Sequence, residues 1–109
     1  MMLSNFDFQT VDWSQVETEL HAGEAGTATW RTRHFGGIRV RMVEYSAGYR
    51  ADHWCKKGHL LLCLQGELHT TLRDGREVVL GPSMAYYVAD DTMPHRSSAP
   101  LGATLYIVD

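Results

Sequence analysis

The segment His53-Trp54-Cys55-Lys56-Lys57-Gly58-His59 places two imidazoles and a thiol close together in the chain. Imidazole and thiolate are good ligands for zinc, copper, iron and nickel, and poor ones for magnesium or calcium, which favour oxygen. Positions 53, 55 and 59 share parity, so on a regular strand His53, Cys55 and His59 point to one face. Gly58 can interrupt such a strand and bring His59 round by another route. A further ligand must come from elsewhere. His95 is the first candidate, because it follows the Pro-containing loop Asp90 to Pro94 beside a strand, and His69 is the second. The same residues also read as a surface histidine, a buried thiol and unrelated histidines, since free Cys commonly behaves as a small hydrophobe. A third reading makes Cys55 a nucleophile activated by a neighbouring histidine.

These residues must be positioned by short strands. From about Thr27 onward, apolar runs alternate with turn signals. Trp30 to His34, Ile38 to Tyr45, Leu60 to Leu64, Glu67 to Arg73, Glu77 to Leu80, Met84 to Ala89 and Ala103 to Val108 read as strands. Asp74-Gly75 is a hairpin signal between two of them. Asp12 to Leu20 alone suggests a helix, with Ser14 as its cap and Glu17 completing a capping box. Many short strands with Gly and Pro at the turns predict an all-β sandwich or barrel. The expected organisation is a single domain over 1–109, with an N-terminal arm over 1–26 and the barrel over 27–109.

The chain of 109 residues suits one modest core, and its net charge of −3 argues against a phosphate-binding surface. No basic run marks nucleic acid or membrane. The N-terminus lacks the pattern of a signal peptide, and Leu60 to Leu64 is too short to span a bilayer, so a cytoplasmic location is expected. Cys55 and Cys63 would lie roughly 26 Å apart on a straight strand, far beyond disulfide reach, which agrees with a reducing compartment.

Beyond the ligand candidates, Tyr86 and Tyr87 have opposite parity on one strand. One of them should face the interior, either as a packed aromatic or as a proton donor. Arg39 and Arg41 read as a solvated face; inside the barrel they would suggest a carboxylate ligand. Arg96 is expected to pair with Asp90 or Asp91. Trp54 reads as sheet packing or dimer core, and His21 and His34 as solvent-facing.

The sequence resembles a cupin, whose first motif is G-x5-H-x-H-x3-4-E-x6-G. Gly48, His53, Cys55, His59 and Gly66 follow that motif, and Gly66-Glu67-Leu68 with Asp74-Gly75 resembles the hairpin after it. His95, in Met93-Pro94-His95-Arg96, resembles the histidine of the second motif. Asp52-His53-Trp54-Cys55 with Lys57-Gly58-His59 is more narrowly similar to DHCW-type cupin-fold proteins. Cys55 stands where a His is expected and His59 where a Glu is expected, and the first spacing is one residue short. The resemblance implies a small jelly-roll-like barrel (a double-stranded β-helix) with a short helical or irregular N-terminal segment. It implies a divalent transition metal at His53, Cys55, His59 and His95. Exchanging Glu and His for His and Cys keeps one negative charge and makes the set softer, which favours zinc or iron, with copper or nickel as further options. It also implies a small-molecule ligand or substrate, a homodimer, and one of Tyr86 or Tyr87 as proton donor. A metal or ligand sensor, a structural zinc module and a metal-free thiol protein stay open beside it.

Overall fold

A computed structural model describes residues 3–109 and is almost entirely β. The strands are β1 (Glu19–Ala22), β2 (Thr27–Phe35), β3 (Ile38–Tyr45), β4 (Tyr49–Arg50), β5 (His59–Gly66), β6 (Leu68–Leu72), β7 (Glu77–Leu80), β8 (Ala85–Val88), β9 (His95–Ala99) and β10 (Ala103–Val108). They form a six-stranded sheet in the order β1-β2-β3-β10-β5-β8 and a four-stranded sheet in the order β4-β9-β6-β7. The two sheets enclose the core without closing into one continuous hydrogen-bonded barrel. No helix among the described residues is long and apolar enough to cross a membrane.

Side chains alternate between the two faces along each strand, and burial picks out the inner row. In β5, His59, Leu61 and Cys63 are buried while Leu60, Leu62 and Leu64 are exposed. In β10, Ala103, Leu105 and Ile107 turn inward, opposite Val43 and Arg41 of β3 on one side and Cys63 and Leu61 of β5 on the other. The core is completed by Leu68, Leu80 and Ala99 of the smaller sheet. Burial of such side chains contributes about 1.5–3 kcal/mol each. That is enough to fix the register, because a slip of one residue would turn the inner row outward.

The expected helix over Asp12 to Leu20 is replaced by one 3-10 turn, Trp13–Gln15, whose cap is Asp12 rather than Ser14. Glu19 to Ala22 pairs with β2 as a strand instead, so the sheet begins before Thr27. Tertiary pairing overrides a short local signal here. Strands β4 and β9 carried no apolar alternation and were not legible. His95-Arg-Ser-Ser-Ala99 is held by its neighbours β6 and β4.

Arg39 and Arg41 do not form a solvated face. In β3 the apolar residues Ile38 and Val40 point outward, beneath the N-terminal arm around Phe6, while Arg41 points inward and is only 5% exposed. Both faces of this strand are covered, so its polar residues gave the wrong sense of which face is inside.

Candidate metal centre

Three of the four candidate ligands converge, and each is delivered by a different piece of backbone. His59 opens β5, on the inner face with Leu61 and Cys63. His95 opens β9. Cys55 lies in the connection between β4 and β5, where it forms an isolated antiparallel bridge with His95. The amide of each donates to the carbonyl of the other, at 2.7 and 3.0 Å. Gly58 lets this connection pass against β8: a Cβ there would stand 2.6 Å from the Asp90 amide nitrogen, and the Gly58 amide donates to Asp90 Oδ1.

The ligand atoms of Cys55, His59 and His95 all lie within 4.8 Å of one another. Cys55 Sγ is 3.5 Å from His59 Nε2, and the two imidazole rings meet edge to face at 5.2 Å. Hydrogen bonds on the far side of each ring fix which nitrogen looks inward. His95 Nδ1 donates to the Met93 carbonyl at 2.9 Å, which leaves Nε2 as the acceptor. That Nε2 is buried and has no hydrogen-bond partner. His59 Nδ1 donates to Asp109 Oδ2 at 2.8 Å, and its Nε2 faces the sulfur. A carboxylate or carbonyl behind each histidine is the usual way a metal-binding imidazole is oriented.

Asp109 continues the inner row of β10. Its carboxylate is 1% exposed and also accepts from Arg39 Nε at 2.8 Å and from Arg41 Nη2 at 2.9 Å. Burial opposes its ionisation, but His59 and the two guanidinium groups outweigh that and hold the carboxyl well below the usual range. Burial likewise opposes charge on His59; Asp109 and the Cys55 sulfur reverse the balance and raise its pKa. The Cys55 thiol is lowered to about 5, chiefly by His59 and then His95, against the opposing effect of burial. Each of the two groups thus favours the charged form of the other. A cation held by the three atoms would take the place of the proton between sulfur and imidazole, as thiolate and imidazole sites require.

His53 does not join the cluster. Strand β4 ends at Arg50, so the shared parity of 53 and 55 has no regular strand to act along. The His53 side chain is 74% exposed and its Nδ1 is bonded to Asp52 Oδ1 at 2.6 Å. His69 stands on β6 between Glu67 and Glu77, outside the cluster. Of the tyrosine pair, Tyr86 faces inward with its ring 5.9 Å from that of His95, and Tyr87 is exposed. Burial raises the Tyr86 phenol well above its ordinary value, so it stays protonated. Arg96 pairs with Glu24 at 2.5 Å rather than with Asp90 or Asp91, and also donates to the Ala51 carbonyl. Trp54 is covered by the Arg73 guanidinium, 5.2 Å from its ring centroid. His21 is not simply solvent-facing, since its ring packs on Trp30 at 4.0 Å. No local signal marked Asp109 or Tyr45, which only the pairing of β10 with β3 brings to the site.

A cavity of about 210 Å³ adjoins the three ligands, walled by Trp30, Tyr45, Tyr49, Tyr86, Arg41 and Ser97. Tyr45 and Tyr49 stack within it at 4.1 Å. His53 lies at its edge.

Both thiols are free, and they differ in character. Cys63 is fully buried and its thiol is raised by burial, whereas Cys55 is partly exposed and lowered. In metal-free protein at pH 7, iodoacetamide is expected to label Cys55 while Cys63 stays unmodified until the protein unfolds. Peptide mass mapping after timed labelling checks this; faster labelling at Cys63 would contradict it.

No protein-family model matches the sequence, and no curated protein matches it. Solved structures do. An RmlC-like cupin from Shewanella frigidimarina is 18% identical with a TM-score of 0.67, over 96% of this chain and 88% of that one. A predicted oxalate decarboxylase from Thermotoga maritima is 13% identical with a TM-score of 0.78, over 92% and 96%. Fe(II)-HppE with an alternative substrate is 13% identical with a TM-score of 0.76, over 96% of this chain and 62% of that one. At these identities the likeness is one of architecture, and by that architecture the chain has the cupin fold.

Proposed function

We propose that Cys55, His59 and His95 hold one divalent transition ion, zinc or iron foremost, and that the ion and the adjoining cavity bind or transform a small organic molecule. The observation that carries this reading is the convergence of three ligand atoms within 4.8 Å, one of them the buried and unpartnered Nε2 of His95. The donor set is one thiolate and two imidazoles, which suits a borderline ion and not calcium or magnesium. Three protein ligands leave a coordination position for a small molecule, whereas a structural zinc site closes with four. The exposure of His53 therefore supports a ligand-binding centre over a structural one. When bound, the ion supplies Lewis-acid chemistry, or redox chemistry if it is iron. The chain supplies the rest: Asp109 orients His59, and the protonated Tyr86 serves as a hydrogen-bond or proton donor from the cavity wall.

Elemental analysis of protein purified without chelator tests the reading. About one equivalent of metal is expected, and little in a His95→Ala variant that remains folded. A folded wild type that takes up no zinc or iron(II) on titration would sink it.

A second reading keeps the site metal-free. Cys55, His59 and Asp109 form a thiol–imidazole–carboxylate chain, with contacts of 3.5 and 2.8 Å, and this arrangement activates a sulfur nucleophile. The same metal titration separates the two, because a cation on Cys55 blocks its alkylation.

The exposed row Leu60, Leu62, Leu64 and Tyr87 on the outer face of β5 and β8 supports the homodimer reading. Sedimentation equilibrium is expected to give twice the chain mass, and a Leu62→Glu variant the single chain mass; a monomeric wild type would remove this reading. The two free thiols fit a reducing compartment and hence the cytoplasm.

A further inference from the structure

We infer that the cavity beside Cys55, His59 and His95 takes a small carboxylic acid, with Arg41 as the group that recognises its carboxylate. The inference deepens the metal reading by naming a ligand class, and rests on that reading only for the neighbouring ion.

Arg41 sits on the inner face of β3, opposite Ile107 of β10. Its side chain is 6% exposed and its guanidinium lies 4.4 Å from the centroid of the Trp30 ring, on the wall of the cavity. A guanidinium carries five N–H donors and no acceptor. Arg41 donates only from Nη2, to Asp109, and its buried Nε–H has no partner. A buried donor without a partner is costly, and buried polar groups in native structures are almost always satisfied. Arg41 and His95 both line the cavity, and each carries such an atom, Arg41 Nε and His95 Nε2. One is a cationic donor and the other a metal-ligating nitrogen.

The charge balance points the same way. Arg39, Arg41, Lys57 and Arg96 line the cavity, and among the described residues no Asp or Glu does. Arg96 is engaged by Glu24, while Arg39 and Arg41 share the single carboxylate of Asp109. That leaves one negative charge for two guanidinium groups, of which Arg39 is 29% exposed and Arg41 is buried, and a divalent ion beside them would add to the positive excess. An anion is the species that relieves this. A planar carboxylate matches the donor fork of a guanidinium better than a point charge does.

Size restricts the acid. About 210 Å³ is below the roughly 300–1,000 Å³ of sites for drug-sized ligands, so the occupant is compact. Trp30, Tyr45, Tyr49 and Tyr86 give it an apolar and aromatic wall, with Ser97 as a neutral hydrogen-bonding group.

The test is titration of the full chain, zinc-loaded and zinc-free, with propionate, malonate and propionamide, followed by calorimetry and by tryptophan fluorescence, to which Trp30 of the cavity wall contributes. The acids are expected to bind and the neutral amide, nearly the same shape as propionate, to bind at least about tenfold more weakly. Arg41→Met and Arg41→Lys are expected to weaken the acids about tenfold to a hundredfold, the range of a charge-assisted hydrogen bond, at unchanged zinc content. Propionamide binding as tightly as propionate would overturn the inference, and so would variants that bind the acids like the wild type. If Arg41→Met fails to fold, the comparison of acid and amide on the wild-type chain still decides. Zinc binding without acid binding removes this inference and leaves the metal reading. Acid binding through Arg41 in a chain that takes no metal supports this inference and removes that reading.

Discussion

Replacing Asp109 by Asn is expected to lower the stability of the protein by about 3 kcal/mol and to weaken metal binding about tenfold to a hundredfold. The carboxylate is 1% exposed and holds three partners at once, His59, Arg39 and Arg41. The side chain of Arg41 is itself buried, so loss of the negative charge leaves a guanidinium without its counter-ion in the interior. Breaking one side of a buried ion pair commonly costs about 3–5 kcal/mol for that reason. For a domain of this size the melting temperature should fall by roughly 10–20 °C. The effect on metal has a different origin. Asn can still accept from His59 Nδ1, but without the charge that raises the basicity of the ring.

The pH dependence follows from the same carboxylate. Its pKa is held below the ordinary 3.8, so the folded protein binds fewer protons there than the unfolded chain does. Stability from this group is therefore complete above about pH 5, begins to decline as pH falls through 4, and is lost only as pH passes through the depressed folded value. Urea midpoints of wild type and Asp109→Asn should differ fully at pH 6, and the gap should narrow as pH falls from about 4 to about 2. A gap that stays constant over that range would show that Asp109 acts by shape and not by charge.

Replacing Cys55 by Ser is expected to weaken zinc binding about a hundredfold while leaving the fold in place. Structural zinc sites with four ligands contribute about 10–16 kcal/mol, so the loss of one strong ligand costs near 3 kcal/mol. The stability of the apo protein should change little. Cys55 is partly exposed, and its place in the fold is set by the paired backbone bonds to His95, which Ser retains. Competition with a chelator of known affinity gives the first quantity and urea unfolding of apo protein the second. Loading with cobalt(II) adds a direct readout, because the thiolate-to-metal charge-transfer band must vanish in the Ser variant. A band that persists would place the sulfur outside the coordination sphere.

These predictions depend on residues of very different legibility. That Leu60 to Leu64 forms a strand was plain from the sequence, but an unbroken apolar run does not mark its inner side, and it is the structure that buries His59, Leu61 and Cys63 rather than the leucine row 60, 62 and 64. The hairpin at Asp74-Gly75 and the strands β3, β7 and β10 were equally plain, because their turn residues and apolar alternation agree. His59 and His95 were found by residue type and spacing, and Cys55 by its nearness to them.

What the sequence did not determine is which face of β3 is the interior. Its apolar residues Ile38 and Val40 and its arginines alternate cleanly, and alternation usually marks the apolar row as the inside. The outer row is instead covered by the arm around Phe6, and the inner row carries Arg41 into the site. A strand buried on both sides carries no one-dimensional mark of which side is which. The selection of ligands was tertiary as well. His53 and Cys55 look equivalent in sequence, yet only Cys55 is pinned opposite His95 by backbone hydrogen bonds, while His53 turns to Asp52. Asp109 became part of the site only when β10 paired between β3 and β5, some fifty to seventy residues away in the chain. Residue chemistry and local alternation thus determined that imidazoles and a thiol meet in an all-β interior. Long-range strand pairing decided which of them meet and which charges stand behind them, because those contacts have no local signature.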